Sequence, residues 1–276
     1  SVILVIYGLM TETSIRELFA AGFIPGMIGI LFYLGAVQFV VWRNPAAGPR
    51  GDRLNWPERM IALRGVWGTL ILFGVVMGGI YGGVFTPTEA AGIGAGGALL
   101  IALSRRALTW RTLFDTLAET ARTSATLFTV LIGALIFSSF VNRAGLPDGL
   151  LELVNSFDVA PMVVIVLILA VYIVLGCVFE SLSMLLLTIP VFFPLVETFG
   201  FHPVWFGIVV VVVTEISLIT PPVGLNVFVL SGVLRDVSTS TVFKGVTPFW
   251  CADILRLALL VFVPGISLLL PNLLYH

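Results

Sequence analysis

Charged residues are scarce in this 276-residue chain, at 11%, while hydrophobic residues make up 59%. An average soluble domain carries about 25% charged residues, so most of this chain cannot face water. Apolar runs close to the length of a membrane-spanning helix recur from one end to the other, which excludes a single anchor on a soluble domain. The runs at 161–178 and 204–213 are apolar on every face, whereas barrel strands alternate. The composition therefore predicts an all-α membrane protein, a polytopic helical bundle.

Residues that carry enzyme chemistry are also few. The chain has two histidines and two cysteines, and Cys177 and Cys251 lack the spacing of a metal site or a disulfide framework. It has no Gly-x-Ser-x-Gly turn, no Walker-type phosphate loop and no aspartate pair typical of an intramembrane protease. The net charge of −1 gives no field that favours nucleic acid. We therefore expect neither an enzyme nor a cofactor.

Nine apolar segments predict the order of the spans. They cover 1–10, 25–42, 61–81, 87–103, 124–141, 161–179, 182–199, 204–234 and 249–270. The chain begins at Ser1, inside an apolar run and without an initiator Met, and we interpret its start as truncated.

Basic residues indicate which connections are cytoplasmic. Nine of the 14 lie in two stretches, 43–64 and 105–122, the first of which includes Arg50 and Arg53. The segment 142–160 carries Arg143 against three acidic residues: Asp148, Glu152 and Asp158. The positive-inside rule places the two basic stretches in the cytoplasm, and the acidic segment is then an outside loop. Arg235 and Lys244 likewise predict that the span 204–234 ends on the cytoplasmic side.

Only Glu180 and Ser181 separate the apolar segments 161–179 and 182–199, which leaves no aqueous loop. A re-entrant hairpin over 161–199 fits better than two full spans, because non-helical backbone at membrane depth is tolerated where protein or a cavity lines it. Glu180, Ser181 and Ser183 then lie at the hairpin tip and offer hard oxygen ligands to a small cation. Alternatively, these residues cap the second leg, and the two roles can coexist.

A second discontinuity is Thr220-Pro221-Pro222-Val223-Gly224-Leu225-Asn226. Two successive prolines remove two backbone donors, so the helix 204–234 must break. A break at the midplane offers carbonyl oxygens to a cation and a half-helix N-terminus to an anion, and the nearby carboxylate of Glu215 is costly at this depth. A proline kink satisfied by neighbouring helices is the alternative.

Two segments match at an offset of 224 residues, which predicts an inverted-topology repeat. Gly8, Glu12, Ser14 and Phe19 correspond to Gly232, Asp236, Ser238 and Phe243, and after one deletion Gly22 and Pro25 correspond to Gly245 and Pro248. Five crossings separate the two copies of the final span, and an odd number inverts the second copy. Chance similarity of apolar segments is the alternative. The repeat divides the chain into a tail of the first repeat at 1–42, a cytoplasmic linker at 43–60 and a second repeat at 61–276.

The segment Thr86-Pro87-Thr88-Glu89 matches the start of a helix. Thr86 is placed as N-cap, Pro87 at the first helical position and Glu89 at the capping-box position, so we expect a structural role for this motif. The G-x-G-x-x-G at 92–97 follows no strand and lies within a span, which favours close helix packing over nucleotide binding.

Three blocks, 79–91, 176–180 and 220–226, resemble in order and spacing the large membrane subunit of tripartite ATP-independent periplasmic (TRAP) transporters. The resemblance covers nearly the whole chain. It implies an ion-transporter-superfamily fold with an elevator-like transport domain, and family members are longer, with a first repeat that carries its own hairpin and break. Where many members carry Asp at the tip, this chain has Glu180.

The resemblance also implies a function and its residues. It implies sodium-coupled import of small carboxylates, of the sialic acid or C4-dicarboxylate type, with Na⁺ as the coupling ion and no other metal. The implied partners are a periplasmic binding protein and a small four-helix membrane subunit, in the bacterial or archaeal cytoplasmic membrane. The implied ion site comprises Gly176, Glu180, Ser181, Thr220, Pro221 and Gly224, and the substrate site comprises Ser183, Glu215, Pro222 and Asn226. Arms at 12–24, 109–122 and 235–248 would brace the scaffold.

Two other functions stay open. A stand-alone sodium/dicarboxylate, citrate or arsenite carrier of the same inverted-repeat superfamily would need no binding protein. A non-transporting scaffold subunit would tolerate replacement of Glu180, Glu215 and Asn226.

Overall fold

The computed structural model describes residues 1–48, 51, 55–157, 159–233 and 237–275. Within these residues the chain forms twelve α-helices, one 3₁₀ turn at Pro45–Ala47 and no strand. The helices are α1 (Val2–Thr11), α2 (Ile15–Arg43), α3 (Trp56–Tyr81), α4 (Pro87–Ser104), α5 (Trp110–Arg143), α6 (Leu146–Ser156), α7 (Pro161–Leu175), α8 (Ser181–Thr198), α9 (Pro203–Ser217), α10 (Leu225–Val233), α11 (Thr239–Phe262) and α12 (Gly265–Tyr275). The predicted all-α fold is confirmed.

Some of these helices are long enough to cross a membrane and others are not. Among the described residues, α2, α3, α5, α8 and α11 have the length and apolar composition of membrane-spanning helices. Helices α7 and α9 are apolar but have only 15 residues each. That length gives roughly 23 Å, less than the ~30 Å hydrocarbon core of a bilayer. The ends of such short helices carry unpaired backbone groups that need partners within the protein.

The chain divides into two compact units, Ser1–Ala47 with Val130–His276, and Gly48–Thr129. In the second unit α3 packs against α4, and Arg105 donates a hydrogen bond to the carbonyl of Gly65 at 2.7 Å. Gly94 and Gly97 of α4 face Val76 and Leu72 of α3, so the glycine-rich segment does serve close helix packing. The predicted repeat boundaries rest on sequence similarity between segments, which a division into compact units does not test. They stay a prediction.

Helix α9 is the centre of the first unit. Twelve of its 15 residues are buried, and it packs against α1, α2, α7, α8, α11 and α12. Two hydrogen bonds hold its N-terminal end: the Tyr7 hydroxyl donates to the carbonyl of Pro203 at 2.7 Å, and Trp205 Nε1 donates to the carbonyl of Leu260 at 2.8 Å. These bonds satisfy two polar groups that would otherwise be buried without partners.

Several predicted boundaries are wrong. The parts of the predicted arms at 15–24, 110–122 and 239–248 are continuous with the spans after them, because α2 runs through Pro25, α11 runs through Pro248 and α5 begins at Trp110. A proline removes one hydrogen bond from a helix, but packing of neighbouring helices holds the helix together on both sides. Five charged residues used in the sequence predictions lie outside the described residues: Arg50, Arg53, Asp158, Arg235 and Asp236.

Two further segments differ from their predicted structure. The segment predicted as one span, 249–270, is divided at Val263 and Pro264, between α11 and α12. Pro264 cannot donate a backbone hydrogen bond, which ends α11. The predicted outside loop 142–160 contains the helix α6, in which Leu150 and Val154 pack against the buried core. An amphipathic helix of this length is too short to stand out as a span in an apolar sequence.

The close approach of α9 to α1 and α2 depends on Gly207. A Cβ atom at this position would lie 2.6 Å from Tyr7 Cε1 and 2.9 Å from Leu18 Cδ2. The Tyr7 ring cannot retreat, because it is fully buried and its hydroxyl is bonded to Pro203. We expect Gly207→Ala to lower the free energy of unfolding by about 1–3 kcal/mol through overpacking, seen as a lower thermal unfolding midpoint in detergent.

Gly245→Ala in α11 is the matched control. No atom lies within 4 Å of a Cβ built at Gly245, and alanine favours helix over glycine. The control is expected to leave the midpoint unchanged or slightly raised. Equal losses in both variants would contradict the packing of α9 described above.

Candidate functional site

The hairpin tip and the helix break lie against each other in the first unit. Helices α7 and α8 form the two legs, joined by a tip at 176–180, and residues 218–224 separate α9 from α10. Gly176 is buried and lies directly on Ser217, since a Cβ built on Gly176 would overlap with Cβ and Oγ of Ser217. A helical hairpin and a helix break are therefore both present and in contact, while the re-entrant placement of the hairpin in the membrane stays a prediction.

Glu180 caps the second leg of the hairpin. Its Oε1 accepts a hydrogen bond from the Leu182 N–H at 3.0 Å, and its Oε2 accepts from the Ser183 N–H at 3.2 Å and the Ser183 hydroxyl at 3.3 Å. The capping role is thus confirmed, with a negative charge at the positive end of α8. Glu180 is also exposed, and a carboxylate retains acceptor capacity beyond these bonds, so capping is compatible with cation contact. Ser181, beside it, is buried.

Hydrogen bonds at the end of α9 and at the start of α10 close the break, and one of them crosses the gap. The Ser217 hydroxyl donates to the carbonyl of Thr214 at 2.6 Å, and the Asn226 N–H donates to the carbonyl of Leu218 at 3.1 Å. The Val227 N–H donates to the carbonyl of Gly224 at 2.8 Å. Two of the first amides of α10 therefore already have acceptors, which leaves fewer for an anion than the sequence predicted.

Gly224 gives the break its shape. Its φ of +53° lies in the left-handed region, and a Cβ there would lie 3.3 Å from the carbonyl carbon of Ile219 and from the carbonyl oxygen of Thr220. Glycine alone meets both conditions without strain. The neighbouring Pro221 and Pro222 are exposed, as is the side chain of Asn226.

Thr220 places a buried hydroxyl oxygen in the break. Its Oγ1 donates to the carbonyl of Ile216 at 2.7 Å and accepts from Trp250 Nε1 at 2.9 Å. A hydroxyl has one donor and two acceptor sites, so one lone pair of this buried oxygen is still available. Thr220 and Pro221 line a cavity of about 210 Å³ with Trp250. Sequence reasoning missed Trp250, because no spacing relates it to the break.

Glu215 lies near the end of α9, just before the break. It is exposed at a cavity of about 210 Å³ that Arg256 of α11 also lines. Its carboxylate interacts electrostatically with Glu180 of the tip and with Asp253 and Arg256 of α11. Sequence reasoning missed Asp253 and Arg256, although ionisable residues in a membrane helix are a signal of function by default.

The third sequence motif has the structural role that was predicted for it. Glu89 Oε2 accepts from the N–H and the hydroxyl of Thr86, each at 2.8 Å, and the Glu89 N–H donates to Thr86 Oγ1 at 3.3 Å. Pro87 begins α4, with Thr88 next to it, in the second unit. Within the described residues no group of three or more His, Cys, Asp or Glu side chains could hold a metal ion.

Comparison with known proteins places the chain in a family. Residues 1–266 match the family model of the tripartite ATP-independent periplasmic transporter, DctM component. The chain belongs to this family. Its relatives are named transporter permeases, and the described residues include five helices long and apolar enough to cross a membrane, so the chain is a multi-pass membrane protein. The resemblance carried by the three sequence blocks is confirmed.

The relatives differ in the substrates that their names give. The chain is 32% identical to the C4-dicarboxylate TRAP transporter large permease protein DctM of Pseudomonas aeruginosa, over 99% of this chain and 63% of that protein. It is 34% identical to the sialic acid permease SiaM of Vibrio cholerae, over 99% and 64%, and 31% identical to the ectoine/5-hydroxyectoine permease UehC of Ruegeria pomeroyi, over 99% and 63%. The chain thus spans less than two thirds of the length of these relatives.

Contact between tip and break can be tested with a compensating pair. Gly176→Ala places a methyl group on Ser217, and we expect it to lower the free energy of unfolding by about 1–3 kcal/mol, as overpacking does. Ser217→Gly removes the two side-chain atoms that the methyl group meets, so Gly176→Ala with Ser217→Gly is expected to recover most of the loss. Thermal unfolding midpoints of the two single variants and the double variant measure this coupling. Strictly additive losses would show that the tip does not lie on the end of α9.

Proposed function

We propose that this chain forms part of a sodium-coupled large permease that imports small carboxylates. The observation that carries the proposal is the contact of Gly176 with Ser217, which joins a hairpin tip to a helix break. Discontinuous helices are the means by which transporters bring oxygen ligands and helix ends to an ion or a substrate within the membrane.

Oxygen ligands near this contact suit a sodium ion. Glu180 supplies a carboxylate, Thr220 a hydroxyl with a free lone pair, and Ser181 a second hydroxyl. A hard cation prefers such ligands. With Gly176, Pro221 and Gly224 shaping the backbone around them, these residues form the proposed ion site, and Ser183, Glu215, Pro222 and Asn226 form the proposed wall of the substrate site.

The family supports the remaining parts of the proposal. Relatives named for C4-dicarboxylate and for sialic acid favour a carboxylate as the substrate. The tripartite family model favours a periplasmic binding protein and a small four-helix membrane subunit as partners, in the cytoplasmic membrane.

Helix caps support an inverted repeat. Ser14 caps α2 by accepting from the Glu17 N–H at 3.4 Å, and Ser238 caps α11 by accepting from the Thr241 N–H at 3.3 Å. Each helix then contains a proline, Pro25 or Pro248. Two helices that each begin with a serine cap and contain a proline at a matching position are what a repeat predicts. Tip and break, packed together on α9, would move as one body in an elevator-like step.

Uptake of labelled carboxylates tests the coupling and the partners. The full-length permease that contains this chain is reconstituted into liposomes with the small subunit, with and without a sodium gradient and the binding protein. We expect uptake to need both, with a sialic acid or a C4-dicarboxylate as the substrate.

Each other outcome favours a different function. Sodium-driven uptake without the binding protein would favour a stand-alone carrier of the same superfamily. Uptake of no carboxylate, together with full tolerance of changes at Glu180, Glu215 and Asn226, would favour a non-transporting scaffold subunit.

The role of Thr220 as a sodium ligand has its own test. Thr220→Val removes the hydroxyl at nearly constant volume, and we expect the sodium concentration for half-maximal uptake to rise about tenfold or more, because a bond to a charged group contributes about 1.5–3 kcal/mol. Thr220→Ser keeps the hydroxyl and is expected to stay close to the unchanged protein. Thr198→Val is the control, because Thr198 also donates to a carbonyl four residues earlier but is exposed at the end of α8. Equal sodium dependence in all three variants would remove Thr220 from the site.

A further inference from the structure

Helix α11 carries a buried ion pair that the proposed ion site does not include. Asp253 is 3% exposed and the Arg256 side chain is 15% exposed, although α11 has the composition of a membrane-spanning helix. Arg256 Nη2 lies 2.8 Å from Asp253 Oδ1. The hydroxyl of Tyr33, on α2, donates to Asp253 Oδ2 at 2.5 Å. One oxygen of the buried carboxylate thus faces a charge on its own helix, and the other accepts a hydrogen bond from α2.

A glycine of helix α2 makes space for the Arg256 side chain. Gly29 lies against the guanidinium, and a Cβ at this position would overlap with Nη1. The Tyr33 ring, one turn further along, is held edge-on against Phe249, with centroids 5.5 Å apart. Glycine in a helix interior costs about 1 kcal/mol relative to alanine. At Gly29 the missing side chain leaves room for the guanidinium of the facing helix, and the lower helix propensity of glycine is the cost.

The guanidinium is held at the cavity that Glu215 lines. Gly22, Pro25 and Gly26 of α2 form another wall of the same cavity. Glu215 interacts electrostatically with Arg256, Asp253 and Glu180. These four groups carry three negative charges and one positive charge, a formal charge of −2. Unbalanced negative charge at membrane depth is costly, and a nearby cation would reduce that cost.

We infer that Asp253, Tyr33 and Gly29 hold Arg256 away from Glu215 and thereby keep Glu215 available to attract a cation. Arg256 is a positioning residue in this arrangement, because it acts on the cation through Glu215. If Asp253 loses its charge, Glu215 becomes the remaining carboxylate near Arg256, and the guanidinium shifts toward it. Pairing of these two groups neutralises Glu215 and weakens cation binding at the neighbouring tip and break. The inference rests on the proposed sodium coupling.

Three variants of the full-length permease test the inference. Asp253→Asn is expected to raise the half-saturating sodium concentration roughly fivefold or more through release of Arg256. Asp253→Asn combined with Arg256→Gln removes both charges, so the sodium affinity is expected to return to that of the unchanged protein or to exceed it. Gly29→Ala keeps every charge and displaces the guanidinium, and we expect a smaller change in the direction of Asp253→Asn. Gly35→Ala, in the same helix and with no atom within 4 Å of the added carbon, is the control and is expected to change nothing.

The measurement is the sodium dependence of the thermal unfolding midpoint, supported by uptake. Bound sodium stabilises the folded state by mass action, so the midpoint titrates with the sodium concentration. A purely structural cluster would lower the midpoint at every sodium concentration and leave the half-saturating value unchanged, and the double variant would not restore anything. Either of these results overturns the inference.

Failure of the proposed function would look different. If sodium alters neither the midpoint nor the uptake of the unchanged permease, sodium coupling itself is wrong. If Asp253→Asn does not fold, Gly29→Ala against Gly35→Ala decides the inference alone, because both variants retain the ion pair's charges.

Discussion

Every backbone polar group inside a membrane needs a partner within the protein, and the site of this chain follows from that constraint. Helices α7, α8, α9 and α10 end or begin at the tip and the break, where an uninterrupted span would have no free ends. The groups that close these ends are the Glu180 carboxylate, the Ser217 and Thr220 hydroxyls and the carbonyls of Leu218 and Gly224. Each of these groups offers an oxygen atom. The groups that close the helix ends are therefore oxygen atoms of the kind that bind a small cation.

Helix α9 holds these groups in place. It is the most enclosed helix of the first unit, and its far end is tied to α1 and α11 through Tyr7 and Trp205. Because the break follows directly on this fixed helix, Ser217 and Thr220 begin from a rigid base. Binding sites lose less conformational entropy when their ligands are held in advance. The apolar packing around α9 contributes no ligands, but it holds the residues of the break in place and so lowers the entropy lost on binding.

The sequence predicts local features well and distant contacts poorly. The break at Pro221-Pro222, the Thr86 cap and the helix over the apolar run 204–213 each follow from rules that act over a few residues, and the structure has all three. Pro25 and Pro248 were expected to separate arms from spans, but contacts of α2 with α11 and α12 hold both helices continuous. The bond from Tyr33 to Asp253 joins residues 220 apart in the chain. No periodicity reveals such a pair, although the charges of Asp253 and Arg256 in an apolar helix mark where to look.

Helix α11 touches the region of the break in two ways. Trp250 bonds to Thr220 within the break, and Arg256 lines a cavity with Glu215 just before it. These two contact residues are six positions apart on α11, roughly 9 Å along its axis. Because α11 runs from Thr239 through Pro248, residues 239–248 of the segment predicted as an arm belong to the same helix as both contacts. A displacement of that segment would reach the Thr220 hydroxyl and the Glu215 carboxylate together. The continuity of α11, which the sequence rules did not predict, thus links the arm to the oxygen atoms of the site.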